Sequence, residues 1–118
     1  MKMDTSIAAL IDTLKQKITF LQIRSTTPTG DYFEAVLSRQ DLQACCEVLA
    51  SLFGPPVKEF GKSAKFDPKM QKAIDQLGGI WLEQCLFLRP GEQAPSIYAA
   101  LWPWASDATR VTVKVGLY

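Results

Sequence analysis

Residues Gly79 to Arg89 read Gly-Ile-Trp-Leu-Glu-Gln-Cys-Leu-Phe-Leu-Arg, and this stretch decides the fold class. It has the length of a β-strand, follows a Gly-Gly helix stop and precedes Pro90-Gly91, which is a strong turn signal. Apolar residues fall on both of its alternating faces, which is typical of a central strand. Two more strand patterns follow it. The sequence therefore predicts a C-terminal meander on which the upstream elements pack.

The other four predicted strands alternate between apolar and polar residues. Residues 96–103 alternate around Ile97, Ala99 and Leu101, and residues 110–117 carry valine at every second position. Upstream, residues 19–25 and 31–37 have the same period of two. The turn-forming stretch 26–31 lies between them, so we expect a hairpin.

Three amphipathic helices are predicted, over residues 4–17, 39–53 and 68–77. The first has apolar residues at three and four residue spacing, with candidate caps Asp4, Thr5 and Ser6. The second begins after Ser38 and ends at Gly54. The third opens with Asp67-Pro68, in which a cap precedes a first-turn proline, and ends at Gly78-Gly79.

These elements predict an α+β fold. We expect residues 1–118 to form a single domain, in which one five-stranded, mainly antiparallel sheet carries its helices gathered on one face. The element order resembles that of profilin-like and sensory-type five-stranded folds, in which the first strand pairs with the last. This resemblance is an analogy in element order alone, with no sequence motif behind it.

Composition indicates an ordinary globular protein. Apolar residues make up 47%, charged residues 21%, and the net charge is +1. No overall charge would attract nucleic acid or anionic lipid, so we expect neither partner. Asp12, Lys15 and Lys17 interrupt the N-terminal apolar pattern, which argues against a signal peptide or a membrane span.

Cysteine usage predicts a cytoplasmic protein. Three cysteines, of which Cys45 and Cys46 are adjacent and Cys85 stands alone, make a poor disulfide framework. Inert packing explains the adjacent pair better than a redox site does.

The inventory of chemical groups argues against an enzyme. Histidine is absent, which removes the commonest catalytic bases and an imidazole metal ligand. Three cysteines, two of them adjacent, do not make a zinc site. We therefore expect no catalytic residues, no metal and no cofactor, and predict function by binding.

The main candidate site is the sheet face opposite the helices. Large aromatic and charged side chains are predicted to share it: Trp81, Glu83, Phe87, Tyr98, Trp102 and Lys114. An aromatic face of this size should be covered. A second copy of the chain, another protein partner, or the first helix folded across it are the alternatives. The predicted function is an interaction module that homodimerises or binds a partner through this face.

A second hypothesis places a small anionic ligand in the gap between helices and sheet. The segment from Lys58 to Lys72 is basic and has two interleaved phenylalanines, and its residues Lys58, Lys62 and Lys65 are the candidate anion ligands. The alternative for this segment is a solvated connector anchored by Phe60 and Phe66.

Overall fold

The computed structural model describes residues 7–26, 31–89 and 96–118. Three helices and five strands follow one another along the chain: α1 (Ile7–Lys17), β1 (Phe20–Thr26), β2 (Phe33–Ser38), α2 (Leu42–Phe53), α3 (Pro68–Gln76), β3 (Cys85–Arg89), β4 (Ile97–Pro103) and β5 (Arg110–Leu117). A short 3-10 turn, Arg39–Asp41, leads into α2. The predicted helix start at Asp4 and most of the predicted turns at 26–31 and 90–91 lie outside the described residues.

The five strands form one antiparallel sheet in the order β1-β2-β5-β4-β3. The predicted α+β class with a five-stranded sheet is confirmed. The pairing implied by the profilin-like analogy is wrong, because β2 rather than β1 pairs with β5. β2 is buried along most of its length, whereas Leu21 and Ile23 of β1 are exposed, so the more buried strand lies inside the sheet next to β5 and β1 forms the edge.

α1 and α2 pack on one face of the sheet and form the main core with it. Leu10, Ile11 and Leu14 of α1 and Leu49 of α2 are buried there. Their spacing of three and four residues puts them on one side of each helix. The sheet contributes alternate residues of its strands, among them the valines of β5. Within the described ranges, no helix is both long enough and apolar enough to cross a membrane.

α3 lies on the opposite face, which corrects the prediction that all helices gather on one side. Its buried residue Ile74 packs with Leu86 and Leu88 of β3 in a second, smaller apolar cluster. Asp67 caps the helix by accepting from the amide of Met70 at 2.7 Å, as its position before Pro68 predicts. β3 is thus buried on both faces, one towards α1 and α2 and the other towards α3. The prediction of a central strand was wrong, because β3 lies at the edge of the sheet and owes its two buried faces to the helices.

The third strand is shorter than the predicted 79–89. Regular pairing begins only at Cys85, and the preceding six residues form an irregular turn. Gly78 and Gly79 both have positive φ angles, 91° and 89°, which glycine adopts without strain. The backbone groups that follow bind within the turn and to a lysine side chain, so they are not available for strand pairing.

The two edges of the sheet differ. β1 forms one edge and pairs with β2 with two register shifts, between Phe20 and Gln22 and between Ile23 and Ser25. At the other edge the backbone of Val57 and Lys58 pairs with Leu86, which covers part of β3. Irregular pairing and cover of this kind limit unwanted strand addition.

One close approach in the sheet predicts a stability effect. Tyr98 lies opposite Gly116 in the β4-β5 ladder, and a Cβ at Gly116 would lie 2.8 Å from Cε1 of the tyrosine ring. Gly116→Ala is therefore expected to lower the free energy of unfolding by about 1–3 kcal/mol in urea denaturation. In a Tyr98→Ala background the ring is gone, and the same change should cost much less. Equal costs in both backgrounds would contradict this packing account.

Candidate functional site

The face that carries α3 is divided into a covered half and an open half. α3 and the segment before it cover β3 and part of β4, where Ile80 and Ala100 join the smaller apolar cluster. Within the described ranges, side chains rather than a helix cover the outward face of β5. Thr112 there is buried, and Trp104 donates to its hydroxyl through Nε1 at 2.7 Å. Large side chains and a cavity lie at the boundary between the covered half and the open half.

The turn before β3 holds two large apolar side chains out to solvent. Trp81 is 66% exposed and Leu82 57% exposed. The amide of Trp81 donates to Oε1 of Gln84 at 2.9 Å, and the amide of Gln84 donates back to the Trp81 carbonyl at 3.0 Å. These reciprocal bonds close the turn. We call it the Trp81-Leu82 turn.

A buried lysine fixes this turn to the rest of the molecule. Lys58 is only 4% exposed, and its Nζ donates to the carbonyl oxygens of Glu59, Leu82 and Gln84 at 2.9, 2.7 and 2.6 Å. An ammonium has three donors, so this side chain is fully satisfied. Burial lowers the pKa of Lys58 below its ordinary value of 10.5, and the negative charge of the nearby Glu83 opposes that effect. The group is a structural tie between two segments far apart in sequence.

This geometry changes the hypothesis of an anion site at Lys58, Lys62 and Lys65. Lys58 must be removed from it, because its donors are all bound to carbonyl groups inside the protein. Lys62 is exposed and forms an ion pair with Glu59 at 2.9 Å. Lys65 is also exposed. The contribution of these two lysines to anion binding stays a prediction.

On the open half, cations lie over tryptophan rings. Lys114 Nζ lies 5.2 Å from the centre of the Trp102 ring, and the Arg110 guanidinium lies 5.5 Å from that of Trp104. Both distances are within the range of favourable cation-π contacts. Arg110 also pairs with Asp107 at 3.3 Å. Trp102 and Trp104 are therefore only partly exposed, and the surface of the open half is less apolar than its tryptophans alone would make it.

Glu34 of β2 lies at the centre of a polar group beside these contacts. It accepts from the hydroxyl of Tyr32 at 2.9 Å and lies 3.8 Å from Arg24 and 3.7 Å from Lys114. Burial, reinforced by the hydrogen bond and by the charge of Glu34, raises the pKa of Tyr32 above its ordinary value. Glu34 therefore has three partners, of which the Tyr32 hydroxyl is the closest.

Four of the six residues predicted to form the aromatic face line one cavity. Trp81, Tyr98, Trp102 and Lys114 surround a space of about 210 Å³ between the end of α3 and the sheet. Leu86 and Ala100 also line it, together with the glycine pair that follows α3. We call this space the aromatic cavity. The role of these four residues as a partner or ligand face stays a prediction.

The other two residues of the predicted face lie elsewhere. Phe87 is 1% exposed and pairs with Ala99, which places it in the main core under α1 and α2. The prediction for Phe87 was wrong, because Leu86 and Leu88 are the residues of β3 that share a face with Tyr98. Glu83 is exposed in the turn. The alternative in which α1 covers this face is also wrong, since α1 packs on the opposite side.

Sequence reasoning missed three residues that shape this site. Lys58 was interpreted as a surface cation, Gln84 was placed in a strand, and Ala100 was given no role. The only signal for Lys58 was its position next to the apolar residues Val57 and Phe60, which draw the segment into the protein. The role of Gln84 depends on the turn that it closes, and the role of Ala100 depends on its cross-strand neighbours.

The cysteines have the properties of packing residues. All three are free thiols, and Cys45 and Cys85 are buried. Burial, with smaller contributions from nearby charges, raises the pKa of both thiols to about 12. They therefore stay protonated and unreactive at neutral pH. Among the described residues, no group of three or more histidine, cysteine, aspartate or glutamate side chains could hold a metal ion.

The tie made by Lys58 predicts a large effect of a substitution that keeps the length of the side chain. Lys58→Met removes the donors of three carbonyl groups and should lower the free energy of unfolding by about 2–4 kcal/mol. Lys62→Met is the matched control. It removes an exposed lysine with a single ion pair, so its expected cost is under about 0.5 kcal/mol in the same urea denaturation series. Similar losses in the two variants would rule out the structural role of Lys58.

The buried thiols predict weaker stability in alkali. The unfolded chain loses these protons near pH 9, whereas the folded chain keeps them to about pH 12. The free energy of unfolding should therefore fall as pH rises above about 9, by about 1 kcal/mol per pH unit for each thiol. Denaturation from about pH 8 to about pH 10 measures this slope, which a Cys45→Ala, Cys85→Ala double variant should flatten. An unchanged slope would mean that other groups cause it.

Comparison of the chain with protein-family models, with curated proteins and with solved structures finds no match.

Proposed function

We propose that this chain is a non-catalytic interaction module that pairs with a second copy of itself through the Trp81-Leu82 turn. The observation that carries this proposal is the exposure of two large apolar side chains on a backbone that Lys58 and Gln84 already hold in place. Because binding then orders little new backbone, more of the energy from burying Trp81 and Leu82 is kept as affinity. Tryptophan is also among the residues that contribute most to protein interfaces.

A hollow beside the turn supports a second copy as the partner. It has a volume of about 420 Å³, and its lining includes Phe66, Ile74, Ile80 and Leu82. In a two-fold dimer the same patch of each subunit faces the other. A patch that carries both a projection and an apolar hollow is suited to this arrangement, since Trp81 of each copy has a complementary surface to enter.

The charges near the turn are compatible with a self-complementary patch. Lys62 and Glu59 are exposed close to the hollow, and Glu83 is exposed in the turn itself. Two copies of a patch with both signs can place lysine opposite carboxylate, whereas a patch of one sign would repel its own copy. A different protein remains the alternative partner, as the predicted interaction module allows.

The cytoplasm is the proposed location. The three cysteines are free thiols, and two of them are inside the protein. A reducing compartment keeps thiols in this state, which supports the proposal.

Self-association is the measurement that tests the proposed function. Sedimentation velocity at high micromolar concentration should give a dimer for the unmodified chain. Trp81→Ser should weaken it by about thirtyfold, since loss of a central tryptophan typically costs about 2 kcal/mol or more.

Leu21→Ser is the matched control. Leu21 is 55% exposed but lies on β1, at the sheet edge opposite to β3, so this change should leave the dimer intact. A monomeric unmodified chain would overturn the proposal of self-pairing. So would equal weakening by the two substitutions.

A further inference from the structure

We propose that the aromatic cavity binds a small monocarboxylic acid with a flat apolar body. The cavity shares Trp81 with the patch proposed for self-pairing, but ligand binding in it does not require a second copy of the chain. Three features of the molecule support this proposal: the shape of the cavity, the ammonium at its side, and the contacts that leave this ammonium available.

The shape comes from one small residue between two large ones. Tyr98, Ala100 and Trp102 are alternate residues of β4, so their side chains project from the same face of the sheet. Four residues of strand separate the Cα atoms of Tyr98 and Trp102 by about 13 Å. The methyl group of Ala100 fills little of the space between their rings. The result is a slot whose two ends are aromatic, which suits a flat apolar molecule.

The floor and the opening of the slot are also suited to such a ligand. Leu86, the cross-strand neighbour of Ala100, is buried and apolar. At the opening, Gly78 and Gly79 present backbone without side chains, and a Cβ at either position would meet nothing within 4 Å. Their positive φ angles, 91° and 89°, also disfavour a larger residue. The cavity volume of about 210 Å³ sets the size of the ligand at roughly ten to fifteen non-hydrogen atoms.

The charge of the site comes from Lys114. It is the other cross-strand neighbour of Ala100, so its side chain starts beside the slot. Its Nζ lies 3.7 Å from Glu34, which is longer than a hydrogen bond. Within the described part of the chain, its other contact is the face of Trp102. The ammonium thus retains hydrogen-bond donors for an acceptor in the cavity.

Glu34 does not prevent this use of Lys114. It keeps the hydroxyl of Tyr32 at 2.9 Å and the guanidinium of Arg24 at 3.8 Å when Lys114 turns to a ligand. The same carboxylate limits the charge that the site accepts, because it would repel a second negative charge on the ligand. One ammonium beside one carboxylate favours a monoanion over a phosphate monoester. A carboxylate matches the hydrogen bonds that an ammonium donates.

The experiment compares 2-naphthoate with 2-naphthalenemethanol, a neutral molecule of the same shape. Binding to the intact chain is measured by NMR titration of the backbone amides. The acid should bind more tightly than the alcohol and should shift the amide signals of Gly78, Gly79 and Ala100. Lys114→Met keeps the apolar stem and removes the charge, so it should weaken binding of the acid about tenfold and leave the alcohol unaffected.

Two further variants make the outcome decisive. Ala100→Leu fills the slot and should abolish binding of both compounds, while Lys62→Met, on the exposed segment before α3, should change neither. Far-ultraviolet circular dichroism establishes that each variant is folded. The proposal is overturned if neither compound binds at millimolar concentration, if the acid binds no better than the alcohol, or if shifts occur away from the cavity. Sedimentation without ligand tests self-pairing, so failure of ligand binding and failure of self-pairing are distinguished.

Discussion

The ammonium of Lys58 gathers three backbone carbonyl oxygens from two segments, and the α3 side of the sheet depends on this contact. α3 is only nine residues long and buries only Ile74 completely, and a helix of that length is not stable by itself. What holds it against β3 is the irregular chain on either side of it. Lys58 ties the segment before the helix to the turn after it, and so closes a loop that contains α3. The shape of the Trp81-Leu82 turn, of the hollow beside it and of the aromatic cavity depends on that closure.

Local patterns predicted the fold well wherever the structure itself is local. The alternation in β4 and β5, the cap at Asp67 and the apolar spacing of α1 all depend on neighbours within a few residues, and each gave the correct element. The start of β3 depends on a more distant contact. Apolar residues occur both in 80–82 and in 85–88, and each alternating face has them on both sides of Cys85, so the pattern contains no clear boundary. Lys58, which is 24 and 26 positions away from its acceptors Leu82 and Gln84, decides where regular pairing begins.

The candidate site was predicted in part, and the missing part is a matter of register. Alternation correctly separated Phe87 from Leu86 and Leu88, but it cannot tell which set lies under which helix. Only the pairing of Phe87 with Ala99 and of Leu88 with Tyr98 settles that question. The same limit applies to α3, whose sequence predicts a helix but not the side of the sheet on which it packs. α3 packs on a part of the sheet that the alternation alone would leave uncovered. Four residues therefore come together around the aromatic cavity: Trp81, Tyr98, Trp102 and Lys114.

The unequal edges of the sheet bear on how this protein could assemble. A sheet that grows by edge-to-edge addition of further molecules needs two free edges on each molecule, because each added copy must present a free edge to the next. Here the backbone of Val57 and Lys58 occupies part of the β3 edge, and irregular pairing distorts β1 at the other. Edge-to-edge growth is therefore disfavoured at the β3 edge, which is partly occupied, and at the β1 edge, which is distorted. The edges of this sheet therefore give little support to edge-to-edge addition of further copies.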